Sequence, residues 1–319
     1  MMYVFLLVGF FLLVKGADLF VDGSSSVARL LKVPSVIIGL TIVALGTSAP
    51  EAAVSITAGF TKNNEIAISN VLGSNLFNLM MVVGICAIIK TFQTDKMIMK
   101  RDFPICIGLT LLLGIFQLDG AISRIEGGVF FLLLIGYIVL MVKSALKDRK
   151  LAEKNSQEDT TENEPEESGK KMSAWKSILF ILIGLAAIIL GGNLVVNNAS
   201  KIAAQFGLSE TLIGLTIVAI GTSLPELVTS IVAAGKGESG LALGNVIGSN
   251  IFNIIFILGI STMLNPIGTG MENIIDTGIL IGVSLIIYIF GLTGKKVNRW
   301  EGILCVLGYI GYTVYIILR

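Results

Sequence analysis

Two stretches of this chain are near copies: GLTIVALGTSAPE at residues 39–51 and GLTIVAIGTSLPE at 214–226 agree at 11 of 13 positions. The same offset of 175 residues joins NVLGSNLFN at 70–78 to NVIGSNIFN at 245–253, and RIEG at 124–127 to RWEG at 299–302. One offset serving the whole chain means two gapless copies of a unit, so whatever the first copy folds into, the second repeats. The copies cover residues 1–143 and 176–319, with a segment at 144–175 between them.

Each copy is too apolar for a soluble domain. Of the 319 residues 54% are hydrophobic and 14% charged, against roughly 25% charged in a soluble protein. Apolar runs, each long enough to cross a bilayer core of roughly 30 Å as a helix, lie near 2–24, 34–60, 66–89, 103–119, 124–143, 176–199, 209–235, 241–265, 273–293 and 300–318. The expected fold is an all-α polytopic membrane protein of ten transmembrane helices. The first run is read as a helix rather than a secretory signal, because no basic residue precedes it and Lys15 and Asp18 lie at its far end.

Five spans per copy is an odd number, so the second copy starts on the opposite side of the membrane and the two five-helix repeats are expected to be inverted. Basic residues provide an independent indication. Loops that should share one side carry 18 Lys and Arg, including eight from Lys143 to Lys176, against Lys62, Arg124, Lys201 and Arg319 on the other. The bias predicts a cytoplasmic central segment and both termini outside. That segment, with KDRKLAEKNSQEDTTENEPEESGKK at its centre, has almost nothing to bury and is expected to be a disordered acidic tether. Calcium sensing by 158–167 is the alternative reading.

Histidine is absent, and Cys86, Cys106 and Cys305 stand alone in apolar runs. Histidine-based metal sites and proton relays are thereby excluded, and the thiols read as buried and inert.

The informative polar residues are the repeated ones. Glu51 and Glu226 fall near the centres of the second and seventh runs, where a charge costs about 2.5–3.5 kcal/mol on insertion scales. No Lys or Arg lies at comparable depth, so a bound external cation is the economical compensation. Thr47 and Ser48 precede Glu51 by four and three residues, and Thr222 and Ser223 precede Glu226 likewise, which puts the hydroxyls on the carboxylate's face of the helix. Ser74 and Asn78, and Ser249 and Asn253, are also four apart. Pro50 and Pro225 should kink their helices by depriving Gly46 O and Gly221 O of a donor, turning nearby carbonyls such as those of Ala44, Thr47, Ala219 and Thr222 toward a cavity. The sum is a hard, all-oxygen ligand set. Calcium takes roughly six to eight such oxygens, and sodium accepts the same types; two carboxylates neutralise one Ca²⁺. Asp18 and Asp22 correspond to Asn193 and Asn197 and read as interface groups, while Glu126 and Glu301 start helices and read as structural.

At GTSAPE, GTSLPE and the two GSN-x-F-N segments the chain resembles the calcium/cation antiporter superfamily, in which it is similar to prokaryotic sodium/calcium exchangers. The resemblance implies exchange of Na⁺ for Ca²⁺ by alternating access in a prokaryotic-type cell membrane, with ion ligands on the second, third, seventh and eighth helices. Residue by residue it implies Glu51 and Glu226 as central carboxylates, joined by Thr47, Ser48, Thr222, Ser223, Ser74, Ser249 and backbone oxygens of Ala44 and Ala219. Asn78 and Asn253 match positions where members carry Asn or Asp; having Asn at both argues against potassium coupling. The first and sixth helices would form a sliding pair, to which Gly16, Gly23, Gly191 and Gly192 are suited.

The expected activity is therefore Na⁺/Ca²⁺ antiport, with Ca²⁺/H⁺ antiport through the same glutamates and a passive cation channel as alternatives. An enzyme is not expected, since no HExxH or nucleophile–base constellation occurs. Ca²⁺ and Na⁺ are the expected transported ions, with H⁺ as the alternative counter-ion. The lipid bilayer is the expected surrounding; no cofactor, nucleic acid or obligate protein partner is expected.

Overall fold

The computed structural model describes residues 1–61, 65–158, 172–207 and 219–319. In the first copy the helices are α1 (Met2–Leu31), α2 (Ser35–Ile38), α3 (Ala44–Thr47), α4 (Ala49–Thr61), α5 (Glu65–Phe77), α6 (Val83–Ile89), α7 (Phe103–Phe116) and α8 (Arg124–Glu158). The second contributes α9 (Ala174–Gln205), α10 (Ala219–Thr222), α11 (Leu224–Gly235), α12 (Ser239–Phe252), α13 (Gly259–Leu264), α14 (Met271–Gly294) and α15 (Arg299–Leu318). Wider π-helical turns at Gly39–Val43, Asn78–Val82 and Asn253–Leu258 join α2 to α3, α5 to α6 and α12 to α13, and another at Ile98–Asp102 leads into α7.

Among the described residues seven helices are long and apolar enough to span a membrane, counting Glu65–Ile89 and Ser239–Leu264 as continuous; the bent pair Ser35–Thr47 and Ala49–Phe60 makes eight. Of the other expected spans, 103–119 yields the shorter α7, and 209–235 runs into residues 208–218, outside the described ones. The segment expected to be disordered over 144–175 is helical at both ends, since α8 continues to Glu158 and α9 begins at Ala174. The reason is local: KSALKDRKLAEK is rich in helix formers, and a helix already nucleated by the membrane span extends at little cost.

The spans differ in burial. In an 18-residue apolar stretch of Ser239–Leu264, 94% of the residues are buried, against 17% in Arg299–Leu318. Exposed Leu, Ile, Val and Phe side chains cover α1, α8, α9, α14 and α15, an outer surface suited to lipid. At the centre α12 packs directly on α2 and α3: a Cβ added at Gly248 would meet Leu40 O at 2.8 Å, and one at Gly244 would meet Val36 O at 2.7 Å.

Two short antiparallel ladders tie the copies together. β1 (Phe92–Gln93) pairs with β4 (Lys296–Val297), and β2 (Ala121–Ile122) with β3 (Ile267–Gly268). Phe92 and Ile267 are 175 residues apart, as are Ala121 and Lys296, so each ladder is the other's counterpart with the copies exchanged. The offset also relates two pairs of left-handed positions: Lys32 (φ 55°) to Gly207 (φ 83°), and Gly120 (φ 89°) to Lys295 (φ 50°).

Glu126 and Glu301 have the structural role expected of them. Each reaches back to a backbone N–H at its helix start, Ser123 N and Asn298 N, both at 2.6 Å. The three cysteines are buried and free.

Candidate functional site

The two PE segments come to lie in the buried centre of the molecule. The break in the first is at Ser48 (φ −80°, ψ 9°), between α3 and α4, with a bend of 51°. Ser223 (φ −92°, ψ 6°) has the same conformation between α10 and α11. The break thus falls two residues before Pro50 and Pro225, consistent with the ring crowding the preceding turn. One detail differs from expectation: Ala44 O still accepts the helical N–H of Ser48 at 3.0 Å, so it is not released by the bend.

Glu51 and Glu226 are each 1% exposed, and their hydroxyl partners come from both copies. Glu51 Oε1 accepts from Ser223 Oγ (3.1 Å) and Ser74 Oγ (3.5 Å), two hydroxyls that lie 3.0 Å apart. Glu226 Oε1 accepts from Ser48 Oγ (2.9 Å) and Ser249 Oγ (3.4 Å). Ser249 Oγ is also 3.5 Å from Ala44 O. A serine beside one glutamate therefore serves the other, which interlocks the two broken helices.

Thr47 from the first copy stands beside Glu226 of the second, and its hydroxyl donates to Asn245 Oδ1 at 2.9 Å. Thr222 closes α10 and Ala219 opens it, just ahead of Ser223. Asn78 and Asn253 each start a π-helical turn one helical turn beyond Ser74 and Ser249. Such turns widen a helix locally and recur at functional sites.

Both serine bonds on each glutamate land on Oε1. Glu51 Oε2, Glu226 Oε2, Asn78 Oδ1 and Asn253 Oδ1 are buried without a hydrogen-bond donor from the protein. These four atoms can only accept when the carboxylates are ionised, and leaving a buried acceptor unmatched costs about 1–3 kcal/mol, more when charged. A positive ion meets that need. No group of three or more His, Cys, Asp or Glu side chains gathers among the described residues, so the cluster's formal charge comes from the two glutamates.

Comparison with known proteins gives the family. The family model described as sodium/calcium exchanger protein matches residues 1–143 and 176–318. The chain belongs to that family. It is 41% identical to the putative antiporter CaxA of Alkalimonas amylolytica, covering 97% of this chain and 96% of that one. It is 36% identical to the sodium/calcium exchanger MaX1 of Methanosarcina acetivorans, covering 98% and 97%. Among solved structures, the sodium-calcium exchanger NCX_Mj soaked with zero Na⁺ and Ca²⁺ superposes with a TM-score of 0.83 at 33% identity, over 99% of this chain and 98% of that one. This family member is accordingly a multi-pass integral membrane transporter, and its family is not one of enzymes.

Sequence reasoning passed over the amides that hold the cluster of this exchanger-family chain. Asn70 Nδ2 donates to Ser55 Oγ (3.0 Å) and Glu51 O (3.3 Å); Asn245 Nδ2 donates to Ser230 Oγ (3.0 Å) and Glu226 O (3.4 Å). Asn75 and Asn250 join the same centre. All four lie within the repeated NVLGSN and NVIGSN segments, and that recurrence was the available signal. Of the four glycines expected between α1 and α9, Gly16, Gly23 and Gly191 meet the facing backbone within 3 Å of an added Cβ, and Gly192 does not. Gly16 approaches Gly184, and Gly191 approaches Gly9, whereas Gly192 stands in ordinary contact with Pro225.

Proposed function

We propose that the protein is a Na⁺/Ca²⁺ antiporter working by alternating access, with Glu51, Glu226, Ser48, Ser74, Ser223, Ser249, Asn78 and Asn253 around its ions and backbone oxygens of Ala44 and Ala219 nearby. Thr47 and Thr222 flank the carboxylates as hydroxyl ligands of the same shell. The observation that carries this reading is the set of four buried acceptor oxygens without donors, two from each copy. Two carboxylates balance one Ca²⁺ within an all-oxygen shell. The same oxygens suit Na⁺, so occupancy by the two ions is competitive, which coupled exchange requires. The names of MaX1 and NCX_Mj as sodium/calcium exchangers support the choice of ions.

The reading includes ten spans in two inverted five-helix halves, termini outside and the 144–175 segment cytoplasmic. The ladders support it. β1 follows the third span of one half and β4 follows the fourth span of the other. Halves inserted in the same direction would leave these strands on opposite membrane faces, roughly 30 Å apart; inverted halves bring them to one face. The Lys and Arg bias then sets which face is cytoplasmic. Inverted repeats around a central site suit a machine that opens to each side in turn.

Proteoliposomes test the coupling. Calcium uptake driven by an outward Na⁺ gradient, and unchanged by a proton ionophore, is the expected result. Uptake driven by a pH gradient alone would replace Na⁺ by H⁺ in this reading. Flux that runs down the calcium gradient without any counter-ion would make the protein a channel.

A further inference from the structure

We propose that Asn75 and Asn250 are positioning residues that hold the two site asparagines, Asn253 and Asn78, with their amide oxygens presented to the transported cation. The inference rests on the ion site described above. It starts from the fact that the two ends of an amide are alike in shape, so orientation must be read from partners whose role is unambiguous.

Two backbone carbonyls supply that reference. Asn250 Nδ2 lies 3.2 Å from Asn75 O, and Asn75 Nδ2 lies 3.2 Å from Asn250 O. A carbonyl only accepts, so the facing atoms are the NH₂ groups and both Oδ1 atoms are thereby placed. Asn253 Nδ2 lies 2.9 Å from Asn75 Oδ1, and Asn78 Nδ2 lies 3.1 Å from Asn250 Oδ1. An amide oxygen also only accepts, so these partners too are NH₂ groups. What remains of each site asparagine is its Oδ1, the buried atom without a donor. Two backbone atoms thus determine four amide orientations, with no free choice at any step.

The wiring is crossed between copies. Asn75, from the first, orients Asn253 in the second; Asn250 orients Asn78 in return. Flipping Asn253 would set its oxygen 2.9 Å from Asn75 Oδ1 and turn an N–H toward the cation, so two repulsions oppose it. All four asparagines are buried, where water cannot substitute for the lost partner. The amides are therefore held as acceptors before any ion arrives, and the cation does not have to reorganise them.

A plain packing role for Asn75 is the competing account, and a double-mutant cycle separates the two. Half-saturating Ca²⁺ for exchange is measured in proteoliposomes for Asn75→Ala, Asn253→Ala, Asn78→Ala and the pairs, with thermal stability in detergent alongside. Asn75→Ala should raise half-saturating Ca²⁺ by about tenfold, as loss of a ligand's outer partner does at other metal sites. Adding it to Asn253→Ala should have no further effect on half-saturation, whereas combining it with Asn78→Ala should multiply the two effects. Should the alanine variant fail to purify, Asn75→Ser enters the same cycle with the same expected pattern. Multiplicative effects for Asn75 with Asn253, or a loss of stability with half-saturation unchanged, would overturn the inference alone. Exchange indifferent to both Asn253→Ala and Glu226→Gln would overturn the ion site and this inference with it.

Discussion

The buried centre and the outer pair α1–α9 are both built from repeat-related helices, yet they are held by opposite means. At the centre, directional bonds cross between copies: Ser48 to Glu226, Ser223 to Glu51, Asn75 and Asn250 to each other. Between α1 and α9 the contact is largely backbone against backbone, with a hydrogen bond from Ser177 Oγ to Ser26 Oγ at 2.8 Å near one end. A Cβ added at Gly184 would lie 2.6 Å from Phe20 N and 2.7 Å from Gly16 O, and one added at Gly191 would lie 2.7 Å from Gly9 O. Hydrogen bonds to buried acceptors specify one register and resist any other. Small-residue contact is mostly dispersion, which tolerates displacement along the helix. The centre is thus suited to stay fixed and the pair to move over it.

The largest effect expected is on the centre. Replacing Glu51 or Glu226 by Gln keeps the shape and removes one of the two charges of the proposed ion site. A unit charge 4 Å away at an effective dielectric constant near 20 is worth about 4 kcal/mol, or roughly three decades in affinity. Each variant should therefore lose ion-driven calcium flux while still inserting and purifying. Acidification should mimic both variants reversibly, since a proton on either carboxylate removes the same charge. Normal exchange in either glutamine variant would defeat the proposed site.

The outer pair should respond differently. Gly184→Val drives a branched side chain into the backbone of α1, and overpacking of this kind costs about 1–3 kcal/mol. The expected outcome is slowed exchange and a lowered unfolding midpoint in detergent, with stabilisation by added Ca²⁺ retained because the glutamates are untouched. Loss of the Ca²⁺-induced stabilisation would mean that pair and centre are not separable.

This contrast was partly legible in the sequence. Glu51 and Glu226 with their serines could be found because helical spacing is local and the offset of 175 residues repeats it. Crossed partners could not, since nothing in a three- or four-residue spacing says that Ser223 faces Glu51 rather than Glu226. The π-helical turns at Asn78 and Asn253 were hidden for a related reason: a widened turn leaves the local composition unchanged. In the outer pair the glycines pointed to close approach, but only the packing could separate Gly191, which meets the α1 backbone at Gly9, from Gly192, which makes ordinary contacts with Pro225 and Leu13. Beyond residue 143 the drop in hydropathy marked the end of the span and was misread as the end of the helix; α8 continues to Glu158 on helix propensity.

The smallest effect concerns a place where pair and centre are joined by charge. Lys236, at the end of α11, lies 2.7 Å from Asp22 Oδ1, 3.3 Å from Asp18 Oδ1 and 3.0 Å from Asp18 O on α1. At the corresponding positions α9 carries the neutral Asn193 and Asn197, so the tether belongs to one half only. If α1 moves over the centre that α11 helps to form, the contact has to break during the cycle. The three side chains are between 31% and 49% exposed, which limits the link to roughly 1 kcal/mol or less. Lys236→Gln should then speed exchange at saturating ions by no more than about fivefold, and the gain should vanish at high ionic strength, where the charges are screened. Half-saturating Ca²⁺ should stay unchanged, because no site oxygen is altered. A change in half-saturation at constant maximal rate would show instead that α1 travels with α11, and the division between a fixed centre and a moving pair would have to be redrawn.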